Sequence, residues 1–132
     1  IDATILENAL LVARISDDFK CDDILVLDMR SITPITDYFV IATARSNRQM
    51  RGVADEVHRV MKNRGCRKLG AEGERGESLW LLYDFGDFML HVFTPEGRAM
   101  YALEELWGDA PKVEWPEPGR SPNQAEADLV LQ

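Results

Sequence analysis

The chain has 132 residues, of which 45% are hydrophobic and 29% charged, and its formal net charge is −8. That length suits one domain with a sizeable core, and the acidic balance argues against a protein whose whole surface binds nucleic acid. The longest apolar runs fall short of the ~20 residues that cross a bilayer, so no membrane association is expected.

Hydrophobic spacing predicts the first elements in chain order. Residues 3–15 place apolar side chains at helical intervals and predict an amphipathic helix. Residues 24–29 predict a short strand. Pro34 lies in the connection that follows, because it cannot donate to a strand ladder. Residues 38–44, "YFVIATA", predict a second strand that is apolar throughout and therefore buried on both faces.

A second helix is predicted directly after this strand. Ser46 and Gln49 form an S-x-x-Q capping box at its start, and Gly65 ends it. Its predicted core face consists of Met50, Val53, Ala54, Val57 and Met61. Residues 66–72 predict a brief further strand.

The segment that contains this helix is basic. From Arg45 to Lys68 the chain carries eight basic and two acidic side chains, a net charge of +6, so the remainder carries −14. The acidic remainder favours a basic protein partner, whereas the basic segment suits a polyanion. The alternative is that both are solvated surfaces that keep the protein soluble.

Residues 80–93, "WLLYDFGDFMLHVF", contain the letters DFG that also occur in protein kinases. The Gly-rich loop, strand lysine and HRD loop that a kinase requires are missing from the sequence. The segment predicts instead a β-hairpin whose two-residue turn is Phe85-Gly86.

Alternation of side chains gives this hairpin two unlike faces. One is uniformly apolar and is expected in the core, with the facing pairs Tyr83–Phe88, Leu81–Leu90 and Leu79–Val92. The other is mixed, with the facing pairs Trp80–His91, Leu82–Met89 and Asp84–Asp87. The mixed face has the composition of an interface hot spot. The alternative is that a helix of the same domain covers it.

One more helix and a tail complete the prediction. Thr94 and Pro95 start a helix that runs to residues 107–108, with room for a break. Residues 111–132, rich in Pro, Gly, Ser, Asn and Glu, predict a mobile acidic tail. The element order α-β-β-α-β-β-β-α predicts a single α/β (α+β) domain over residues 1–110, with a mixed sheet of about five strands and flanking helices.

Candidate chemical sites are incomplete. Residues 43–48, "TARSNR", could bind phosphate at a helix N-terminus but lack the glycines of a phosphate loop. Asp84 and Asp87 could hold a metal with Asp28 or Asp37, although carboxylates beside a tight turn usually hydrogen-bond their own backbone. The sequence therefore predicts no catalytic residue, cofactor or metal site.

The two cysteines also fail to predict a site. Cys21 and Cys66 lack metal-ligand spacing and are too few for a disulfide framework. We expect free thiols in a reducing compartment.

Two long stretches resemble a known family. They are "DYFVIATARSNRQMRGVADEV" and "WLLYDFGDFMLHVFTPEGRAMYALEELWGDA", with Glu72-Gly73 between them. Together they resemble the Iojap / ribosomal silencing factor (RsfS) family over residues 3–110. Ala44-Arg45 departs from the glycine-containing junction that is common in members, and the tail after Ala110 lies outside the resemblance.

The resemblance implies a non-enzymatic translation repressor. Members bind the large ribosomal subunit through its fourteenth protein, a basic protein at the subunit-joining face, and block docking of the small subunit when nutrients are scarce. Organellar relatives act on mitochondrial or chloroplast large subunits, some in assembly. The family fold resembles that of nucleotidyltransferases without their catalytic motif, and members often form homodimers. The implied location is cytoplasmic in a bacterium and organellar in a eukaryote.

Carried over by position, the implied partner-binding residues are Trp80, Leu82, Asp84, Asp87, Met89, His91, Tyr101 and Glu72. The segment from Arg45 to Lys68 is a further candidate, for contact with ribosomal RNA. Two other functions stay open, namely a metal-dependent enzyme of the nucleotidyltransferase type that uses Asp84 and Asp87, and a large-subunit assembly factor.

Overall fold

The computed structural model describes residues 2–115. Its helices are α1 (Asp2–Asp18), α2 (Asn47–Asn63), α3 (Pro95–Tyr101) and the short α4 (Leu103–Leu106). Its strands are β1 (Asp22–Asp28), β2 (Tyr38–Thr43), β3 (Gly70–Glu72), β4 (Trp80–Asp84), β5 (Phe88–Phe93) and β6 (Lys112–Val113). Across the described residues, none of the helices has the length and apolar character of a membrane span.

The strands form one mixed sheet in the order β3-β4-β5-β2-β1-β6. β2 and β5 run parallel at its centre, and the other neighbouring strands pair antiparallel. The predicted single α+β domain with a mixed sheet is therefore confirmed, with six strands within residues 2–115 instead of about five.

α1 and α2 cover one face of this sheet. The predicted core face of α2 is buried in full, and it joins one apolar cluster with side chains of α1, β2, β4 and β5. β2 is buried along its whole length, as its composition predicts. On the other face a smaller cluster includes Phe39, Ile41 and Phe93 from the sheet and Leu103 from α4.

The ends of α2 follow the predicted capping signals. Ser46 is the N-cap, and its hydroxyl accepts a hydrogen bond from the Gln49 backbone N–H at 3.1 Å. The Gln49 side chain reaches one residue further back than in a standard capping box and accepts from the Arg45 N–H at 2.6 Å. Gly65, just beyond the last turn, takes the left-handed φ of 81° that ends many helices.

The hairpin forms, but its turn lies one residue later than predicted. Gly86-Asp87 is the two-residue connection, because Phe85 N–H donates to the Phe88 carbonyl across it. Gly86 has a φ of 84°, as such turns require.

This turn changes every cross-strand pair. Trp80 faces Phe93 instead of His91, Leu82 faces His91, and Asp84 faces Met89. On the apolar side Tyr83 faces Leu90 and Leu81 faces Val92. A shift of two positions leaves the side chains of β4 and β5 on their predicted faces, whereas Leu79, predicted in the core, precedes β4 and is exposed. The predicted burial of Tyr83, Phe88, Leu81 and Leu90 is accordingly confirmed.

The region after Ala110 also differs from the prediction. Lys112–Val113 pairs with β1 as an edge strand, and the Trp115 indole donates to the Ile24 carbonyl at 3.2 Å. Residues 111–115 thus extend the sheet and are not part of a tail. The rest of the predicted tail lies outside the described residues.

α3 starts at the predicted cap and ends at a break. The Thr94 hydroxyl accepts from the Gly97 N–H at 3.1 Å, and Pro95 occupies the first helical position. Ala102 then adopts a left-handed conformation with φ 44° and ψ 48°, which separates α3 from α4. The predicted helix is therefore two short helices.

Gly97 sets how closely α3 approaches β4. A Cβ atom there would overlap the carbonyl oxygen of Leu79. We expect Gly97→Ala to lower the free energy of unfolding by roughly 1–3 kcal/mol, because backbone must move to relieve the overlap. Gly52→Ala is the matched control. Its Cβ would lie 3.5 Å from the Phe19 ring, an ordinary contact, and it should gain about 0.5–1 kcal/mol inside α2. Urea unfolding of both variants checks this, and equal effects would contradict it.

Candidate protein-binding face

The mixed face of the hairpin lies on the side of the sheet opposite α1 and α2. We call it the Trp80 face, and it consists of Trp80, Leu82 and Asp84 of β4 and Met89, His91 and Phe93 of β5. Among residues 2–115, the helices on this side of the sheet are the short α3 and α4, and Ile32 and Trp107 pack here as well. The helices therefore cover some side chains of this face and leave others exposed.

Trp80 is half-buried and held on three sides. Its ring stacks on Phe93 at a centroid distance of 5.1 Å and lies 4.7 Å from Tyr101 of α3. Its indole N–H donates to Nδ1 of His91 at 3.0 Å. The domain thus covers one part of the indole and leaves the other part open.

The open part of Trp80 lines a cleft of about 370 Å³. The other lining residues are Glu72, Gly73, Ser78, Leu79, Leu82 and Tyr101. Tyr101 is 45% exposed and Leu79 is 39% exposed, so large apolar surface remains in contact with solvent. Exposed aromatic and aliphatic surface beside a carboxylate suits a protein partner that carries basic groups.

His91 is placed differently from its predicted role. Its side chain is only 3% exposed and lies between the rings of Trp80 and Phe39. The ring centroids of His91 and Phe39 are 4.4 Å apart, and the two rings are edge-on. A side chain this buried does not reach a partner directly. Burial also lowers the pKa of His91 to about 3, because the charged imidazolium would lose its hydration.

The remaining predicted contacts lie along the hairpin. Leu82, Asp84 and Met89 are partly buried, and Asp87 is exposed at the turn. The Asp84 carboxylate accepts from the Gly86 backbone N–H at 2.7 Å, as expected for a turn-forming aspartate. Met89 packs against the smaller apolar cluster. These side chains continue the Trp80 face toward the hairpin turn.

The predicted metal ligands do not converge. Asp28 forms an ion pair with Arg30 at 2.7 Å. Within residues 2–115 no group of three His, Cys, Asp or Glu side chains is arranged to hold a metal ion. Both cysteines are free thiols.

The predicted phosphate-binding segment borders a second cleft. This cleft, of about 430 Å³, is lined by Asp22, Asp23, Thr43, Pro95, Arg98, Ala99, Ala102 and Glu105. Arg45, which would face a phosphate, is already paired with Asp22 at 2.9 Å, and Arg98 donates to the Thr43 hydroxyl. Three carboxylates in the lining disfavour an anionic ligand.

The basic segment lies across the sheet from the Trp80 face. Three of its basic side chains form ion pairs, Arg45 with Asp22, Arg59 with Glu56 and Lys68 with Glu74. Arg48, Arg51 and Lys62 are exposed on α2 without an ion-pair partner among residues 2–115. These three form an exposed positive surface on the helix, in which Arg51 also donates to the Gly76 carbonyl at 3.0 Å.

Comparison with known proteins assigns the family. A family model described as "Ribosomal silencing factor during starvation" matches residues 2–129. The chain belongs to the ribosomal silencing factor (RsfS) family. The family-model match extends well beyond residue 110, where the sequence resemblance ends.

Relatives are found in bacteria, in plants and in the mouse. Ribosomal silencing factor RsfS of Halalkalibacterium halodurans is 38% identical over 104 residues, which cover 79% of this chain and 88% of that protein. RsfS of Bacillus subtilis is 40% identical over 101 residues, 76% of this chain and 85% of that one. Chloroplastic Iojap of Zea mays is 35% identical over 115 residues, 87% of this chain and 50% of that protein.

The fold is shared with a solved structure. A crystal structure of a protein from Chromobacterium violaceum superposes with a TM-score of 0.74 at 34% identity, covering 89% of this chain and 97% of that one. The mixed-sheet domain is thus shared with a protein of similar sequence.

Two glycines and one leucine of the site were not predicted from the sequence. Gly73 has a φ of 75°, and a Cβ there would overlap the Trp80 carbonyl. Gly97 allows α3 to approach Leu79, which lines the cleft. Gly73 had a signal, since it belongs to the Glu72-Gly73 pair that carried the resemblance. Gly97 had none, because its role depends on the packing of α3 against Leu79. The predicted core position of Leu79 opposite Val92 is wrong, because Leu79 precedes β4, is 39% exposed and lines the cleft.

The buried His91 predicts a pH-dependent stability. Below its ordinary pKa of 6.5 the unfolded chain takes up a proton that the folded chain does not, so stability present above pH 6.5 is lost as the pH falls toward 3. We expect a loss of about 2 kcal/mol between pH 8 and pH 5. His91→Leu should remove this loss, whereas His58→Leu, at a partly exposed ring, should keep it. Urea unfolding at the two pH values measures it, and an unchanged loss in His91→Leu would refute it.

Proposed function

We propose that the chain is a translation repressor that binds the large ribosomal subunit through its fourteenth protein and sterically blocks joining of the small subunit. It acts by occupancy and not by catalysis, in the bacterial cytoplasm or in an organelle. Membership of the ribosomal silencing factor family supports a ribosomal partner. The observation that carries the choice of surface is the half-covered Trp80 beside an open cleft.

The chemistry of the face suits a basic protein partner. Trp80 and Tyr101 supply rigid aromatic surface that loses little conformational freedom on binding, and central aromatic residues dominate interface energetics. Glu72 and Asp87 are exposed at its margin, and the chain as a whole carries −8. Such marginal charges mainly raise the association rate and orient the partner.

The basic outer surface of α2 is a second candidate contact. Arg48, Arg51 and Lys62 suit the phosphates of ribosomal RNA. Because α2 and the Trp80 face lie on opposite sides of the sheet, a protein partner and an RNA segment would approach the chain from different directions. The two contacts would then be separable by mutation.

Tyr101→Ala tests the proposed docking surface. Tyr101 is 45% exposed, so its truncation should leave folding nearly intact and weaken binding to purified large subunits by about 30-fold, as loss of an aromatic hot spot does. Met100→Ala is the control, since Met100 is 66% exposed on the same helix but does not line the cleft. Co-sedimentation with large subunits and a subunit-joining assay measure the effect. Undiminished inhibition by Tyr101→Ala would exclude the cleft as the docking surface.

Trp80→Ala is the less direct test of the same surface. Its indole also packs on Phe93, so truncation removes core contacts along with any partner contact. Binding of that variant has to be measured well below its own unfolding temperature.

Charge reversal tests the nature of the partner. We expect Asp87→Lys to weaken binding about tenfold at low salt, and the difference from the parent to shrink as salt screens it. Asp55→Lys is the control, because Asp55 is also exposed but lies on α2, across the sheet. Titration at several salt concentrations measures both variants. A steep, phosphate-like salt dependence of the parent, together with tighter binding by Asp55→Lys, would be inconsistent with a purely protein contact and would favour direct RNA binding by segment 45–68.

An assembly role is a second candidate function. A mouse relative, 34% identical over 88 residues, is named "Mitochondrial assembly of ribosomal large subunit protein 1"; the match covers 64% of this chain and 38% of that protein. An assembly factor would bind precursors of the large subunit in preference to the mature particle. Comparing the affinity for the two particles separates this function from repression of subunit joining.

A further inference from the structure

The His91 imidazole is an unusual group for its position. It is 3% exposed and lies between aromatic rings. The Phe93 ring is nearly parallel to it at a centroid distance of 6.4 Å, and the Phe39 ring is edge-on at a centroid distance of 4.4 Å. Nδ1 accepts the Trp80 indole proton, so the neutral ring carries its own proton on Nε2. Nε2 is buried and has no hydrogen-bond partner among the described residues.

Packing alone does not account for this choice of residue. A buried N–H without a partner costs stability, whereas an aliphatic side chain of similar volume would fill the same space at no such cost. What the imidazole adds is the Nδ1 lone pair. That lone pair has one partner, the indole N–H of Trp80 at 3.0 Å.

The hydrogen bond fixes which edge of the indole faces the cleft. An indole has a single polar hydrogen and donates only, so turning the ring over would break the bond. Trp80 and His91 are diagonal neighbours on β4 and β5, because Trp80 pairs with Phe93 and Leu82 pairs with His91. The largely buried central strand β5 thereby sets the orientation of a side chain near the edge of the sheet.

We infer that His91 is a positioning residue, which holds the Trp80 indole in one orientation and so prepares the Trp80 face for its partner. The inference rests on the proposed docking role of this face. An anchor that is already oriented loses less conformational freedom when the complex forms. His91 itself does not touch the partner.

Substitutions that move the acceptor test this inference. The Oδ1 atom of asparagine can take the place of imidazole Nδ1, whereas the glutamine amide is one methylene longer and leucine has no acceptor. We expect His91→Asn to retain the orientation of Trp80 and His91→Gln and His91→Leu to lose it. The Asn–Gln pair has the same amide chemistry, so it remains decisive if the leucine variant fails to fold.

The first measurement is made on the free chain. Hydrogen exchange of the Trp80 indole N–H, followed by NMR and assigned with Trp80→Phe, should accelerate at least tenfold in His91→Gln and His91→Leu and stay near the parental rate in His91→Asn. The Trp115 indole, which donates to the Ile24 carbonyl, is the internal control and should not change. Equal exchange rates in all variants would overturn the inference.

The second measurement is the affinity for purified large subunits. The loss of one neutral hydrogen bond that orients the anchor should weaken binding about three- to tenfold in His91→Gln, with His91→Asn restoring it. If exchange responds as expected and Tyr101→Ala weakens binding, but His91→Gln binds like the parent, orientation does not matter for docking and the inference fails. If Tyr101→Ala also binds like the parent, the docking surface itself is refuted.

Discussion

The parallel pairing of β2 with β5 is the constraint on which the rest of the molecule depends. The two strands pair residue by residue from Tyr38 with Phe88 to Thr43 with Phe93. Both are buried on both sides apart from the partly buried Met89, and each contributes one row of side chains to each core cluster. α2 leaves β2 toward one face of the sheet, and α3 leaves β5 toward the other. β4, which carries Trp80, is held in place by its antiparallel pairing with β5.

The two faces of the sheet are covered unequally because their helices differ in length. α1 and α2 have 17 residues each and are about 25 Å long, which is enough to cover most of a sheet of short strands. α3 and α4 have seven and four residues and are separated by the left-handed Ala102. They reach Phe93 and part of Trp80 but leave Leu82 and the far side of the indole beside open space. The cleft is therefore a consequence of a short, interrupted helical layer.

Local patterns predicted what depends on local periodicity. The buried face of α2 and the two faces of the hairpin follow from spacing alone. The turn was misplaced by one residue because Gly86 can supply a positive φ at either position of the loop. The deciding contacts are distant in sequence, since the Asp87 carbonyl accepts from the N–H groups of Asp37 and Tyr38. β6 was missed for the same reason, because two residues gain strand geometry only by pairing with β1.

The contacts of the candidate site also depend on residues that are distant in sequence, which spacing does not predict. Spacing placed Trp80 and His91 on one face but could not reveal that Tyr101, from another element, lies against the indole. It also could not separate the buried imidazole from the half-buried indole. In the folded chain the buried His91 accepts the hydrogen bond of the indole, and Trp80 is partly exposed to the cleft. Phe93 and His91 fix the inner part of Trp80, and this determines what its outer part presents to the cleft. Core packing and the proposed recognition role of Trp80 thus do not compete, because the buried contacts limit the conformations that binding would otherwise have to select.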